Sequence, residues 1–401
     1  MRFARAKWLL ILLMPLSIAP GRIPNHRNLP NDAYVWQRRW TPAVAGALAE
    51  SSDLIRAWHV LVAEADARGK WSFALVDWTA LKHSNRPVIL VVRIDGQLAH
   101  LNESPMADQI ASMISQWRRS DVQAAGVEID YDCATARLAT YAHFLSMLRV
   151  RLDPALPLSI TALPTWLSSP AVNEVFAQAG EINLQVHAVL NPHLGLFDRR
   201  QARVWIEELA QHTAKPFRVA LPAYGSRVSW REDGSLLAVE GETPVLAGGD
   251  TAVELMASPR EVAALVDDLR DNSPANLVGI VWFRLPTDDD RRAWSIATWR
   301  AVMLGKPLHT RLEAMIGHSD TPGMNILVLT NTGDLDAELP LSIELPGACM
   351  IGDGANGYRP VAGAVRLTLQ RQQTGLLRSH HQRIIGWMRC APTQSEIRVQ
   401  S

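Results

Sequence analysis

Residues 30–307 alternate apolar, strand-like runs with helical stretches, and this predicts a (β/α)8 TIM-like barrel followed by a small C-terminal β-sandwich-like domain over residues 308–401. Eight such runs fill about 270 residues, close to the roughly 250 of a typical barrel. Most of the intervals between them carry apolar residues at i, i+3, i+4 spacing. After residue 308 the pattern changes to short runs separated by Gly, Pro and Asp, as in antiparallel β structure. A doubly wound open sheet also alternates strands and helices. It more often carries a glycine-rich turn after its first strand, and none follows here.

In chain order, strands are expected near Ala33–Gln37, Ile55–Ala65, Val88–Asp95 and Gly126–Asp132. Four more fall near Leu158–Leu163, Ile182–Val189, Phe217–Tyr224 and Val278–Arg284. Helical spacing marks Ala107–Arg118, Thr135–Leu152, Arg199–His212, Pro259–Asp271 and Ala293–Leu304. Ser168 or Ser169 before Pro170 reads as a capped helix start. Between the second and third runs, Trp71–Trp78 is strand-like and Thr79–Ser84 leaves room only for a short helix. Ser226–Ala257, rich in Gly and polar residues, reads as a long insertion placed to cover a site. In the last domain, strands are expected at Asn325–Asn331, Ala337–Leu345, Val361–Leu369 and Arg383–Met388.

The 40 basic and 40 acidic residues balance, so no field attracts nucleic acid. Met1 to Lys7 carries three cations, and Trp8 to Ala19 is apolar. That is a secretory signal pattern, too short for a comfortable span of about 20 residues. Residues 1–20 are therefore expected to be a signal peptide or an N-terminal anchor, with the protein exported to the periplasm or beyond. No membrane contact beyond that segment is expected. Cys349 and Cys390 are the only two of the three cysteines that share a domain; a disulfide and two free thiols both fit an exported chain.

The most informative stretch is Gly126-Val127-Glu128-Ile129-Asp130-Tyr131-Asp132. Strand side chains alternate faces, so Glu128, Asp130 and Asp132 share one face and Val127, Ile129 and Tyr131 the other. In a barrel, function sits at the C-terminal ends of strands, where Asp132 falls. Residues i and i+2 lie about 6.5–7 Å apart, within the roughly 5–9.5 Å at which two carboxyls flank a scissile glycosidic bond. Crowded acids also spread their pKa values, leaving one protonated and one ionised. The competing reading is an ion-pair ladder in the barrel interior, neutralised by Arg93, Arg218 and Arg284.

Other strand ends add Trp36, Arg93, Gln185, His187, Tyr224 and Trp282 as candidate ligand-binding groups. A divalent ion on Asp130, Asp132 and His187 is the thinner alternative. No metal or other cofactor is expected, because no zinc spacing, Walker A sequence or GxSxG elbow occurs. Gly352–Gly357 fits GxGxxG, but Pro360 follows where a helix should open, so a turn is expected.

Ala125 to Asp132 resembles the fourth-strand signature of family 18 glycoside hydrolases, Asp-Gly-aliphatic-Asp-aliphatic-Asp-aromatic-Glu. Gly126, Val127, Ile129, Asp130 and Tyr131 match by type. The resemblance implies that Asp130 orients an acetamido group and that Asp132 stands where the family has its Glu proton donor. Glu128 replaces an Asp. Gly279-Ile280-Val281-Trp282 is similar to the eighth-strand segment whose Trp floors the sugar pocket. His187 stands where the family has Tyr. The chain as a whole resembles an exported bacterial family of unknown function built on such a barrel. The expectation is a glycoside hydrolase-like barrel acting on a polysaccharide or glycan, with Asp132 as acid, Asp130 as stabiliser and Glu128 supporting both. A carbohydrate-binding barrel without catalysis is the alternative, and a metal-dependent hydrolase the third.

Overall fold

The computed structural model describes residues 27–117, 124–187, 195–231, 233, 236–240, 251–345, 349–361, 366–373, 375–390 and 397–400. The expected signal or anchor at residues 1–20 lies outside the described residues.

Runs that are apolar on both faces need cover on both faces, which a parallel sheet wrapped by helices provides. The strands are β1 (Asn31–Val35), β2 (Ile55–Ala65), β3 (Val88–Ile94), β4 (Ala124–Tyr131), β5 (Leu158–Ala162), β6 (Glu181–Gln185), β7 (Phe217–Pro222) and β8 (Leu277–Phe283). Each is parallel to its neighbours, and β1 pairs with both β2 and β8, closing an eight-stranded barrel. The helices around it are α1 (Pro42–Ser51), α2 (Trp78–Ser84), α3 (Glu103–Trp117), α4 (Leu138–Arg151), α5 (Val172–Gln178), α6 (Arg199–His212), α7 (Pro259–Asp271) and α8 (Ile296–Met303). The main core lies between strands and helices. A smaller cluster of Tyr34, Trp36, Leu61, Val91, Ala220, Val281 and Phe283 fills the upper barrel interior.

Departures from the expected elements have local causes. α2 is short because Asp77 caps its start, accepting from the Thr79 and Ala80 N–H groups, and Asn85 turns left-handed (φ 50°) at its end. The strand-like Trp71–Phe73 is real but runs antiparallel, hairpinned onto the end of β2. α8 starts at Ile296 rather than Ala293, because Ser295 caps it and Ala293 bridges to Tyr224. The expected loop insertion after β7 is instead an antiparallel three-stranded sheet, with Gly225–Trp230 between Leu236–Glu240 and Thr251–Met256. Along the backbone Val228 is in register with Val239 on one side and Val253 on the other.

Beyond α8, two four-stranded antiparallel sheets stack. Leu312–His318, Asn325–Asn331, Gln382–Cys390 and Cys349–Gly354 form one, in that spatial order. Tyr358–Pro360, Thr368–Arg371, Ser342–Glu344 and Arg398–Gln400 form the other. Leu327, Leu329, Ile385 and Met388 from the first meet Ile343, Tyr358 and Leu369 from the second in a core of their own. Register sets Cys349 opposite Cys390 along the backbone, and Cys133 is a buried free thiol. The GxGxxG stretch opens no helix: Gly352–Gly354 end a strand, and Asn356 (φ 49°) and Gly357 (φ 95°) form the turn into Tyr358–Pro360.

Candidate active site

The C-terminal ends of the barrel strands enclose a cleft of about 770 Å³, within the size range of small-molecule and glycan sites. The acids reach it because of strand parity. Glu128 and Asp130 point into the barrel from β4, and Asp132 follows at its end. Glu128 is fully buried and Asp130 nearly so at 6% exposure, while Asp132 is half-buried; only the two aspartates line the cleft. Aromatic walls come from Tyr34 on β1 and Trp36 just after it, Tyr224 after β7 and Phe283 on β8. These rings pack edge to face, Tyr34 against Trp36 at 5.7 Å and Trp36 against Phe283 at 5.1 Å.

Burial pushes the Asp130 carboxyl well above the usual carboxylate range, and the neighbouring Asp132 and Glu128 charges add to this against the opposing Arg93. Asp132 is raised by burial and by Asp95, again opposed by Arg93. Arg93 Nε lies 3.8 Å from Asp130, too long for a tight pair, and also contacts Glu64 at 3.4 Å. The pair is therefore placed to hold a proton at pH values where ordinary carboxyls have lost theirs.

Beneath them, Glu128 accepts from Tyr34 Oη and, at 2.9 Å each, from Thr161 Oγ1 and Asn183 Nδ2; His59 Nδ1 lies 2.5 Å away. Burial opposes its charge, but the His59 cation and these donors win and hold its pKa below the ordinary value. On the opposite wall, His187 is buried and uncharged, its pKa pushed down to about 3 by desolvation. Its Nδ1 faces Tyr224 Oη at 3.3 Å, and among the described residues its buried Nε2 has no partner. Gln37, also lining the cleft, donates to the Leu285 carbonyl, and among the described residues its Oε1 has no partner. Buried polar atoms without partners are rare, and these two stand where a ligand's hydroxyl or amide groups would meet them. Arg284, stacked 5.3 Å from the Tyr224 ring centre, pairs with Asp290 at 2.5 Å.

A family model described as a domain of unknown function, DUF3142, matches residues 84–288. The chain belongs to this family. A second domain of unknown function, DUF8456, matches residues 314–391. No curated protein matches the chain in sequence. Among solved structures, the chain is similar to a chitinase from Chromobacterium violaceum ATCC 12472, with TM-score 0.50 and 15% identity over 69% of this chain and 99% of that one. It is also similar to the spore cortex-lytic enzyme SleL of Bacillus megaterium QM B1551, with TM-score 0.51 and 14% identity over 72% and 76%. At such identities the likeness is one of fold.

Of the residues expected from the sequence, the DUF3142 barrel brings Asp130, Asp132, Trp36, Arg93, Gln185, His187 and Tyr224 together in the cleft. Glu128 sits beneath it. Trp282 does not belong to the cleft. It is fully buried on the outer face of β8, its indole N–H bonded to Asn31 and its ring against Trp294 and Trp299. Parity decides this, since Phe283, one residue on, points inward in its place. Asp130, Asp132 and His187 do not form an ion site: among the described residues, no three His, Cys, Asp or Glu side chains are grouped to hold a metal. Arg218 and Arg284 do not seal the acids, because they pair with Asp32 and Glu181, and with Asp290, respectively. Sequence reading missed Tyr34, Thr161 and Phe283. Tyr34 had a signal, sharing parity with Trp36, whereas Thr161 had none beyond its place near the end of β5. Among the described residues, no helix is long and apolar enough to cross a membrane.

Proposed function

We propose that this chain is a glycoside hydrolase-like enzyme acting on a polysaccharide or glycan outside the cytoplasm. The observation that carries the reading is the pair Asp130 and Asp132, both raised in pKa, opening into an aromatic-walled cleft at the C-terminal mouth of a barrel. Asp132, the more exposed, donates a proton to the leaving glycosidic oxygen. Asp130, which keeps its proton, orients the attacking group by donating a hydrogen bond to it. Trp36, Tyr34 and Phe283 offer faces for pyranose rings. Gln37 Oε1 and His187 Nε2 meet sugar hydroxyl or amide groups. Two proteins sharing its fold, a chitinase and a spore cortex-lytic enzyme, support a glycan ligand. The cationic and apolar N-terminus supports an extracytoplasmic site.

The second reading, a glycan-binding barrel without turnover, is favoured by one feature: an aspartate at position 132 reaches one methylene less far than a glutamate. A panel of oligosaccharides assayed by product chromatography decides between them. Cleavage that Asp132→Asn abolishes supports the enzyme. Binding without cleavage in the wild type supports the second reading, and neither binding nor cleavage removes both.

A further inference from the structure

The lower barrel interior holds charges that the cleft chemistry does not itself use. Asp32 on β1, His59 on β2 and Glu128 on β4 are all fully buried. The His59 ring lies between the two carboxylates, Nδ1 2.5 Å from Glu128 and Nε2 3.3 Å from Asp32. Asp32 also pairs with Arg56, and Arg218 Nε lies 3.2 Å from Asp32 and 2.8 Å from Glu181. This chain of contacts runs to solvent at the N-terminal end of the barrel, where Arg56 and Glu181 are partly exposed.

Hydrogen-bond capacity fixes the protonation states. A carboxylate offers about four lone-pair sites over its two oxygens. Those of Glu128 are taken by Tyr34 and Thr161 on Oε1, and by Asn183 and His59 on Oε2. Asn183 Nδ2 can only donate, and with the two hydroxyls donating to Oε1 the anion is the form that satisfies all four contacts. At Asp32, Arg56 donates to both oxygens, and Arg218 Nε (3.2 Å) and His59 Nε2 (3.3 Å) both lie against Oδ2, so two guanidinium cations hold this carboxylate ionised. A neutral imidazole would then turn a lone pair onto one of two carboxylates. Charge balance agrees: Asp32, Glu128 and Glu181 give three negative charges, and only a cationic His59 with Arg56 and Arg218 gives three positive. Burial opposes that cation, yet the flanking carboxylates raise its pKa to about 9.

We propose that His59 is a doubly protonated imidazolium sealed in the barrel and acts as a positioning residue, fixing Glu128 as the anion that keeps a proton on Asp130 in the cleft. The route is short. Glu128 lies two residues before Asp130 on the same face of β4, and a like charge nearby disfavours ionisation. Its donors Tyr34 and Thr161 both line the cleft beside Asp130. Besides these carboxylates, the groups facing His59 are Tyr34 of β1, with ring centres 5.1 Å apart, and Arg218 of β7 acting through Asp32. The inference deepens the proposed function and rests on it only for the use made of the Asp130 proton.

The test is spectroscopic and needs no substrate. In the full chain labelled with 15N-histidine, both His59 ring nitrogens should carry protons at pH 7 and show no titration between pH 5 and 8. A single neutral tautomer at pH 7 overturns the proposal. In Glu128→Gln, the Asp130 carboxyl midpoint, read from its 13C shift, should fall by about one pH unit. An unmoved Asp130 midpoint removes the positioning role. If that variant fails to fold, Asp32→Asn should instead lower the His59 midpoint into the measurable range, and a ring unaffected by it counts against the proposal. A protein with this proton in place that cleaves and binds no glycan sinks the proposed function and leaves the inference standing.

Discussion

Gly96 lies so close to Asp132 that a Cβ at position 96 would stand 2.1 Å from the Asp132 carbonyl oxygen. The loop after β3 is thus a backbone stop for the residue that ends the acidic strand. A methyl group there must displace main chain rather than a flexible side chain. Gly96→Ala is expected to lower stability by about 1–3 kcal/mol, the usual range for overpacking, and to move Asp132. Glycan cleavage should fall more than tenfold while tryptophan fluorescence still reports a folded chain. Full activity in this variant would mean that Asp132 need not be held where it is.

The acids carry a pH signature. If the protonated Asp130–Asp132 pair does the work, activity falls as pH rises through the raised midpoint of the pair, above the ordinary carboxylate range. Arg93 lowers both acids. Arg93→Gln removes that cation, so both midpoints rise and the alkaline limb of the pH–rate profile moves to higher pH. A limb that stays in place, or moves to lower pH, assigns the titration to other groups.

Two tryptophans separate binding from folding. Trp282 is sealed between β8 and α8, so Trp282→Ala should destabilise by about 3–5 kcal/mol in chemical denaturation. Trp36 forms cleft wall, and Trp36→Ala should weaken oligosaccharide binding about tenfold or more, with the smaller stability loss. Calorimetric titration beside the denaturation curves distinguishes them. Equal effects on binding from both would contradict the parity of β8.

The barrel was legible because its signal is repetitive. Eight apolar runs and the helical spacing of stretches such as Arg199–His212 and Pro259–Asp271 fix the alternation, and those two helices have the expected bounds. The acidic face of β4 was legible from parity alone. Trp282 was not, because a tryptophan at a strand end looks the same whether it faces cleft or helix, and one residue of register decides. The role of Glu128 depends on His59, Tyr34, Thr161 and Asn183, which come from four other strands. No spacing in one sequence connects them. The three-stranded sheet after β7 was hidden by its glycine and polar content, which reads equally as loop.

The buried charges also shape stability against pH. The folded pKa of His59, about 9, exceeds its ordinary 6.5. Its contribution is therefore complete below pH 6.5 and lost as pH rises to about 9, roughly 3 kcal/mol in all. Glu128 and Asp32 are depressed, so theirs is present above ordinary carboxyl pKa values and lost as pH falls through the folded ones. His187, depressed to about 3, likewise contributes above pH 6.5 and loses that contribution toward acid. Denaturation midpoints should decline from pH 6.5 to 9 in the wild type, and less steeply in His59→Gln. Parallel curves for the two proteins would remove His59 from the alkaline loss.

The chain beyond α8 reaches the cleft wall through Arg378, just before the Gln382–Cys390 strand. Arg378 donates to the carbonyls of Thr287, Asp288 and Asp290, and Asp336 accepts from the Ser295 N–H at the start of α8. Thr287, Asp289 and Asp290 line the cleft, and Asp290 holds Arg284. One guanidinium, mostly buried at 18% exposure, thus fixes the backbone of a cleft wall from outside the barrel. Removing it frees three carbonyls without touching the acids. Arg378→Ala should therefore raise the KM for a cleaved oligosaccharide several-fold, leave the pH midpoint of the Asp130–Asp132 pair unmoved, and increase amide exchange in residues 287–290. Lysine at 378 keeps the charge but not the fork of donors, and should restore binding only in part. If exchange at 287–290 is unchanged in Arg378→Ala, the C-terminal sheets do not hold the cleft wall.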